Sequence, residues 1–138
     1  MIIRPATKDD DLVAIWREVY KADHVPLLPQ GVHAPFEPQG DAYVAEMDAA
    51  AIGFSYVDGD WLDELWVGKA WQGRGIGTKL IAHAEEVMRG RGVTEASLSV
   101  MHANVRAVSL YRRLSWSELT QFVSKSNGQT YLRLIKNL

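Results

Sequence analysis

Three glycines stand within five positions in the stretch that runs from Trp71 to Thr78. It follows a hydrophobic run that ends at Val67 and precedes a run of helical periodicity that begins near Ile76. Glycine lets a backbone approach a ligand closely, and the N-terminus of a helix presents free N–H groups and a partial positive charge. Because such N-termini bind anions, the stretch predicts a phosphate site.

The spacing of these glycines excludes two common nucleotide-binding motifs. A dinucleotide-binding fingerprint reads G-x-G-x-x-G, whereas Gly73, Gly75 and Gly77 give G-x-G-x-G. A P-loop ends in G-K-[ST], and here Gly77 is followed by Thr78 and Lys79. The predicted phosphate site is therefore of another type.

Gln72, Gly75 and Gly77 match the fixed positions of Q/R-x-x-G-x-G/A. This is the pyrophosphate-binding loop of the GNAT superfamily, the acyl-coenzyme-A-dependent N-acyltransferases, and the chain resembles that family here. The position of the loop between a strand and a helix fits the family as well.

A second motif of the family, N-x-x-A-x-x-x-Y-x-x-x-G-F, is matched downstream by Asn104, Ala107 and Tyr111. The chain departs from it at the final pair, which is Ser115-Trp116. Glycine commonly ends a helix in the left-handed conformation, where a side chain is unfavourable. We therefore expect either a different helix end or a cost of about 1 kcal/mol at Ser115.

The chain has 138 residues, which predicts one domain over 1–138. A domain of this size can bury a hydrophobic core large enough to be stable without disulfides or structural metals. The absence of cysteine excludes disulfides, a thiolate metal site and a cysteine nucleophile, and we predict no metal cofactor. The formal charge of −2 gives no reason to expect nucleic acid as a partner. No signal peptide or membrane-spanning run is evident, so a cytoplasmic location without membrane association is the expectation.

The order of elements predicts an α/β protein. A helix is expected to start at Thr7, a second near Ile76 and a third at the cap Asn104. The strands are predicted at Ile2–Arg4, Ala42–Glu46, Ala51–Val57, Trp61–Val67, Ala96–Met101, Ser117–Val123 and Thr130–Ile135. This order resembles the GNAT fold, which implies a mixed, mostly antiparallel twisted sheet with helices on both faces. Its central parallel pair would be splayed at the cofactor site.

The segment from Lys21 to Gly40 holds four of the five prolines, so no long helix is expected there. In GNAT proteins this region forms one wall of the acceptor site, and we predict that role or a plain loop. Its histidines, His24 and His33, are expected at the surface rather than as catalytic bases.

The resemblance implies a cofactor site for acetyl-CoA, the donor substrate. The backbone of the loop would hold the pyrophosphate, the backbone of one strand would pair with the pantetheine arm, and Asn104 would bond that arm. The predicted cofactor-binding residues are Leu65, Trp66, Val67, Gln72, Gly73, Arg74, Gly75, Ile76, Gly77, Thr78 and Asn104.

Two residues are candidates for proton transfer. A tyrosine hydroxyl, with a pKa of about 10, can protonate a leaving thiolate, and Tyr111 is the candidate general acid. A base must deprotonate the amine, and among the acids near Trp61 we favour Glu64 acting through water. Strand alternation puts Glu64 with Leu62 and Trp66 on one face. The alternative is that these acids merely solvate a turn.

The predicted function is transfer of acetyl from acetyl-CoA to a primary amine by direct attack in a ternary complex. The acceptor is expected to be a small molecule or a peptide that carries the amine. Aromatic side chains beside carboxylates suit a cationic amine, and they suit an ordinary core equally well. The alternatives are a catalytically silent CoA-binding module and, less favoured, a protein that binds no cofactor. Small GNAT proteins often dimerise through their terminal strands, so a homodimer is compatible with the sequence.

Overall fold

The computed structural model describes residues 1–33 and 35–138; Ala34, inside the predicted acceptor wall, lies outside the described residues. In the described part, seven strands and three α-helices carry the fold. The strands are β1 (Ile2–Pro5), β2 (Asp41–Met47), β3 (Ala50–Asp58), β4 (Trp61–Val67), β5 (Glu95–Met101), β6 (Ser117–Val123) and β7 (Thr130–Asn137). The helices are α1 (Leu12–Val19), α2 (Ile76–Gly90) and α3 (Val105–Arg113). The predicted α/β class and element order are confirmed, with most boundaries within two residues.

The described strands form one sheet in the order β1-β2-β3-β4-β5-β7-β6. All neighbours are antiparallel except β4 and β5, which are parallel and paired at Trp61 and Ser97 alone. The backbone N–H of Ser97 donates to the carbonyl of Asp60 at 2.8 Å, and no further register partners follow along the two strands in the described chain. The predicted splay between the central parallel strands is confirmed.

Helices pack on both faces of the sheet. On one face, Leu12 of α1 is buried with Val44 and Phe54. On the other, α2 and α3 are buried against β5 and β7, as Ile81, Val108, Leu98, Leu132 and Leu134 belong to one core cluster. The two faces therefore have separate cores, with the splay of β4 and β5 between them.

The first helix does not start at Thr7, and that prediction was wrong. Its N-cap is Asp11, whose side chain accepts a hydrogen bond from the Ala14 backbone N–H. Asp10 is occupied by Arg4, which donates to both of its carboxylate oxygens at 2.9 Å, and by the Thr7 backbone N–H, which donates at 2.7 Å. Thr7 therefore belongs to a turn that is tied to β1, and the N-cap lies four residues after it, at Asp11.

The proline-rich segment is more helical than its composition suggests. A π-helix at Tyr20–His24 and a 3₁₀-helix at Val25–Leu27 continue the chain beyond α1. Pro26 occupies an early position of the 3₁₀-helix, where a missing N–H costs little. Together they bring His24 back over the sheet.

A β-bulge interrupts β4. Tyr56 pairs with Glu64 and Val57 pairs with Leu62, so Asp63 is the extra residue. Because of this bulge, Leu62 is buried in the α2-side core and not on the face of Glu64, and that prediction was wrong. Leu62 and Leu65 share one face, while Glu64 and Trp66 occupy the other.

The end of α3 shows how the chain accommodates its departure from the family motif. Ser115 has φ +73°, so the left-handed position is kept without glycine. Of the two predicted outcomes, the second is therefore observed. The helix ends as in the family motif, and Ser115 adopts a conformation that is unfavourable for a residue with a side chain. None of the helices within 1–33 and 35–138 is long and apolar enough to cross a membrane.

Candidate functional site

A cavity of about 750 Å³ opens where β4 and β5 diverge. Its lining comes from the end of β4, the glycine loop, the start of α3 and the segment after α1. The predicted cofactor residues that line it are Leu65, Trp66, Val67, Gln72, Gly73, Gly75, Ile76, Gly77, Thr78 and Asn104. The tertiary fold thus brings two sequence motifs that lie about 30 residues apart to one cavity.

The edge of β4 that faces the splay carries unpaired backbone groups. The Gly68 N–H donates to the carbonyl of Ile52 on β3 at 2.8 Å. Because successive residues in an antiparallel pair alternate in direction, the backbone groups of Leu65 and Val67 point away from β3 and toward the gap. The carbonyl of Val67 already accepts a bond from Gln72 there, at 3.0 Å. An extended ligand could therefore pair with this edge as an added strand.

The glycine loop leaves the N-terminus of α2 open. Gly73 and Gly75 have φ of +75° and +80°, which is the left-handed region that favours glycine. Gly75 is the N-cap, and within 1–33 and 35–138 no side-chain capping bond is made to the first N–H groups of the helix. Those groups lie at the cavity, and together with the helix dipole they suit a pyrophosphate.

Gln72 fixes the loop to its surroundings. Its Nε2 donates to Val67 O and, at 3.3 Å, to Asp23, while its Oε1 accepts from Lys69 at 3.3 Å and from Arg106 at 3.2 Å. Lys69 in turn pairs with Asp23 at 2.8 Å. This cluster joins β4, the loop, α3 and the π-helix around the cavity mouth.

The remaining predicted cofactor residues differ in position. Asn104 caps α3 by accepting the Ala107 N–H at 3.3 Å, so its side-chain N–H₂ remains to donate to a ligand. Arg74 stacks on Trp71, with its guanidinium carbon 5.0 Å from the ring centroid. Arg74 is not among the described residues that line the cavity, whereas Arg106 is.

Glu64 lies on the α1-side face of β4. Its carboxylate accepts a hydrogen bond from the indole N–H of Trp66 at 2.5 Å. Burial raises the pKa of Glu64 to about 7, against the opposing effect of the Trp66 bond, and the nearby Asp63 raises the pKa further. A carboxyl group that titrates near neutral pH can accept and release protons under physiological conditions.

Tyr111 is buried, with 7% of its surface exposed, and its ring packs edge-on against Trp116. Burial raises the pKa of Tyr111, and the carboxylate of Glu64 adds to this. The hydroxyl therefore stays protonated at neutral pH. Among the described residues, neither Tyr111 nor Glu64 lines the cavity itself.

Several residues that line the cavity were not among the predicted site residues, including Asp23, His24, Arg106 and Arg113. His24 was expected at the surface, but it is half-buried with its ring 4.8 Å from that of Trp66. Burial lowers the pKa of His24, although Asp23 opposes this. No sequence signal places Asp23 and His24 at the cavity, because the π-helix that carries them depends on tertiary packing.

Aromatic rings extend from His24 along the α1-side wall. Tyr20 stacks between His24 and Trp16, with ring centroids 5.9 and 4.9 Å away. Phe36 continues the series against Trp16 at 5.0 Å. The ring of Phe36 also packs edge-on against Tyr56, the register partner of Glu64. Tyr43, in contrast, packs on His83.

Residues 9–116 match the model of the acetyltransferase (GNAT) family. The chain belongs to this family. The match covers most of the chain and includes both motifs, so the resemblance inferred from the sequence is confirmed.

Named relatives of this GNAT chain are N-acetyltransferases with different acceptors. The chain is 32% identical to thialysine N-epsilon-acetyltransferase of Bos taurus over 125 residues, which is 83% of this chain and 72% of the relative. It is 28% identical to the peptidyl-lysine N-acetyltransferase YjaB of Salmonella typhimurium over 115 residues, with 78% and 75% covered. Their shared activity is acetylation.

Solved structures support the same fold. The apo form of YjaB from Escherichia coli superposes with a TM-score of 0.79 at 23% identity, over 98% of this chain and 97% of that one. An acetyltransferase from Bacillus anthracis, solved with acetyl coenzyme A, gives a TM-score of 0.67 at 17% identity, over 75% and 66%. The predicted GNAT fold is thus confirmed.

Proposed function

We propose that residues 1–138 act as a single N-acetyltransferase domain that transfers acetyl from acetyl-CoA to a primary amine by direct attack in a ternary complex. The observation that carries the proposal is the open cavity between β4 and β5. It combines an uncapped helix N-terminus with an unpaired strand edge, which are the two features that a pyrophosphate and an amide-bearing pantetheine arm require.

The donor is held by backbone groups. The N–H groups from Gly73 to Thr78 bind the pyrophosphate, and the edge of β4 at Leu65 and Val67 pairs with the amides of pantetheine. The Val67 N–H polarises the thioester carbonyl, since it points into the gap beside the Val67 carbonyl. Asn104 donates its amide to the pantetheine arm. Arg74 is free to swing from Trp71 to the phosphates.

Glu64 serves as the general base. An alkyl amine with a pKa near 10 arrives protonated, and a carboxylate with a pKa of about 7 removes its proton through a water molecule. Water is needed because Glu64 lies behind the cavity wall and not in it. The half-buried His24 and its aromatic neighbours attract the cationic amine before deprotonation.

The reaction then proceeds by one addition and one elimination. The neutral nitrogen forms a bond to the acetyl carbon, and the carbon–sulfur bond breaks with its electron pair on sulfur. Tyr111 gives its proton to the thiolate, and one of the two protons on the acylated nitrogen restores the tyrosine hydroxyl, while the other stays as the amide N–H. Its raised pKa makes Tyr111 a weaker acid than free tyrosine, so its hydroxyl must reach hydrogen-bond distance of the sulfur.

Two measurements test the proposal. Acetyl-CoA added to protein free of copurified cofactor is expected to raise the melting temperature by mass action. A release assay for free CoA, run with a panel of primary amines, then reports transfer. The panel holds thialysine, lysine, a lysine peptide, an alanine N-terminal peptide, a polyamine and an aminoglycoside. A protein that binds acetyl-CoA but acetylates none of the panel would leave the silent CoA-binding module as the better description.

A further inference from the structure

Arg133 is a half-buried cation for which the described residues supply no counter-ion. It lies on β7, and its Nε is buried with no hydrogen-bond partner. Its guanidinium makes no ion pair or hydrogen bond with any of the residues in 1–33 and 35–138 that the structure describes. The guanidinium stacks on the ring of Trp61, with its carbon 4.9 Å from the ring centroid. A buried donor that lacks a partner is unfavourable, which points to a ligand.

The side chain lies on the face of the sheet that carries Glu64. Its neighbours Leu132 and Leu134 are buried in the α2-side core, so alternation turns Arg133 to the opposite face. Leu62 and Leu65 are oriented in the same way toward that core, which places Trp61 and Glu64 on the face of Arg133. The predicted general base and the unpaired cation therefore face the same side of the sheet.

This part of the face is open. Ser99, the register partner of Arg133 on β5, is exposed, so α1 does not cover the sheet there. The guanidinium is anchored by Trp61, which stands three positions before Glu64 on β4 with the bulged Asp63 between them. At about 3.3 Å per residue, Glu64 lies about 7–10 Å along the strand from Trp61, the residue on which the guanidinium stacks.

We propose that Arg133 binds a carboxylate of the acceptor, and that the acceptor class is an amine with a carboxylate about one lysine side chain away from the reacting nitrogen. This rests on the proposed acetyltransfer at Glu64. Six single bonds of about 1.5 Å, extended in zigzag, span roughly 7.5 Å, which matches the separation of the two groups. Arginine suits a carboxylate because its planar donors can bind both oxygens.

The test uses two acceptors that differ in one group. 6-Aminohexanoate has one primary amine and a carboxylate at lysine spacing, whereas 6-aminohexanamide is a neutral counterpart of the same length. We expect kcat/KM for 6-aminohexanoate to exceed that for 6-aminohexanamide by about tenfold or more. The two compounds should differ in KM and not in kcat, because Arg133 does not touch the reacting atoms. Arg133→Gln should lose this preference and Arg133→Lys should keep part of it.

Arg112→Gln is the matched control, because Arg112 is an exposed arginine on α3 and its removal should leave the preference unchanged. Melting curves of all variants, with and without acetyl-CoA, verify that each is folded and binds the donor. Free lysine carries an α-carboxylate, whereas an internal lysine in a neutral peptide does not. Comparing kcat/KM for these two acceptors shows whether Arg133 binds the α-carboxylate of an amino acid or a carboxylate elsewhere in a larger acceptor.

The outcomes separate the two proposals. Equal turnover of the two aminohexyl compounds by wild type, or a preference that survives Arg133→Gln, overturns the role of Arg133 and leaves acetyltransfer standing. Failure to acetylate any amine overturns the proposed function, and the role of Arg133 with it.

Discussion

The indole N–H of Trp66 donates to the carboxylate of Glu64, two residues earlier on the same strand, at 2.5 Å. Both side chains therefore lie on one face of β4, while the backbone between them borders the cavity. Plain strand alternation puts these two side chains together, while the bulge at Asp63 moves Leu62 to the opposite face. The proposed base and the proposed cofactor edge are thereby combined within four residues of one strand.

The first prediction concerns the activity of Glu64→Gln. We expect kcat to fall about 100-fold or more, because the base is lost while the Trp66 N–H can still donate to the glutamine oxygen. In wild type, kcat/KM should rise with pH through about 7, and this limb should be absent from the variant. Glu95→Gln, at an exposed position of β5, is the control. A pH profile that Glu64→Gln leaves unchanged would assign the base to another group.

The second prediction concerns the stability of the same variant. The folded-state pKa of Glu64 is about 7, above the ordinary value of 4.5, so the protonated form is favoured by folding. Wild-type stability should therefore fall as pH rises from about 4.5 through 7. Urea unfolding should find Glu64→Gln more stable than wild type at pH 8, by at most about 3 kcal/mol, with the gain absent at pH 4. A constant difference at all pH values would contradict the raised pKa.

The third prediction separates catalysis from packing at Tyr111. Tyr111→Phe keeps the edge-on contact with Trp116, so its melting temperature should change little. Turnover should fall at least about tenfold, because the leaving thiolate loses its proton donor. Tyr43→Phe, at a position that packs on His83, serves as control in the same assay. Full activity of Tyr111→Phe would remove Tyr111 as the acid.

The fourth prediction uses glycines of α2. A Cβ at Gly77 would meet only Leu110 and Val67, at 3.8 and 3.9 Å, so Gly77→Ala should fold and even gain about 0.5–1 kcal/mol as a helical alanine. The family motif accepts alanine at this position, so acetyl-CoA affinity, measured by calorimetry, should stay within about twofold of wild type. Gly75→Ala, where φ is +80°, should instead lower the affinity about tenfold or more, because alanine disfavours the left-handed conformation that shapes the N-terminus of α2. Gly90→Ala, at the other end of α2, should leave affinity unchanged. Wild-type affinity in Gly75→Ala would argue against phosphate binding at this N-terminus.

The fifth prediction concerns Ser115, which has φ +73°. Ser115→Gly removes the left-handed strain and should stabilise the protein by about 0.5–1 kcal/mol, seen as a higher melting temperature. Ser117→Gly, at the start of β6, should instead destabilise it, since glycine weakens a strand. Loss of stability in Ser115→Gly would mean that the serine has compensating contacts.

Local patterns in the sequence determined the family, the order of elements and the donor site. Turn glycines, the Asn104 cap and the strand runs act over a few residues, so their spacing already predicts the loop, the helix starts and the parallel central pair. The first helix was misplaced because Thr7, a suitable local cap, instead lies in a turn closed by Asp10, which Arg4 of β1 also holds.

Only the tertiary structure decided the geometry around the acceptor. The bulge at Asp63 reverses strand alternation, and neither composition nor periodicity marks a bulge. The π-helix that places His24 on Trp66 and the pairing of β7 that places Arg133 over Trp61 join residues far apart in the chain. The sequence by itself therefore specified the loop and strand proposed to hold the donor, through local backbone conformation, while packing between distant segments decided which side chains surround the proposed acceptor site.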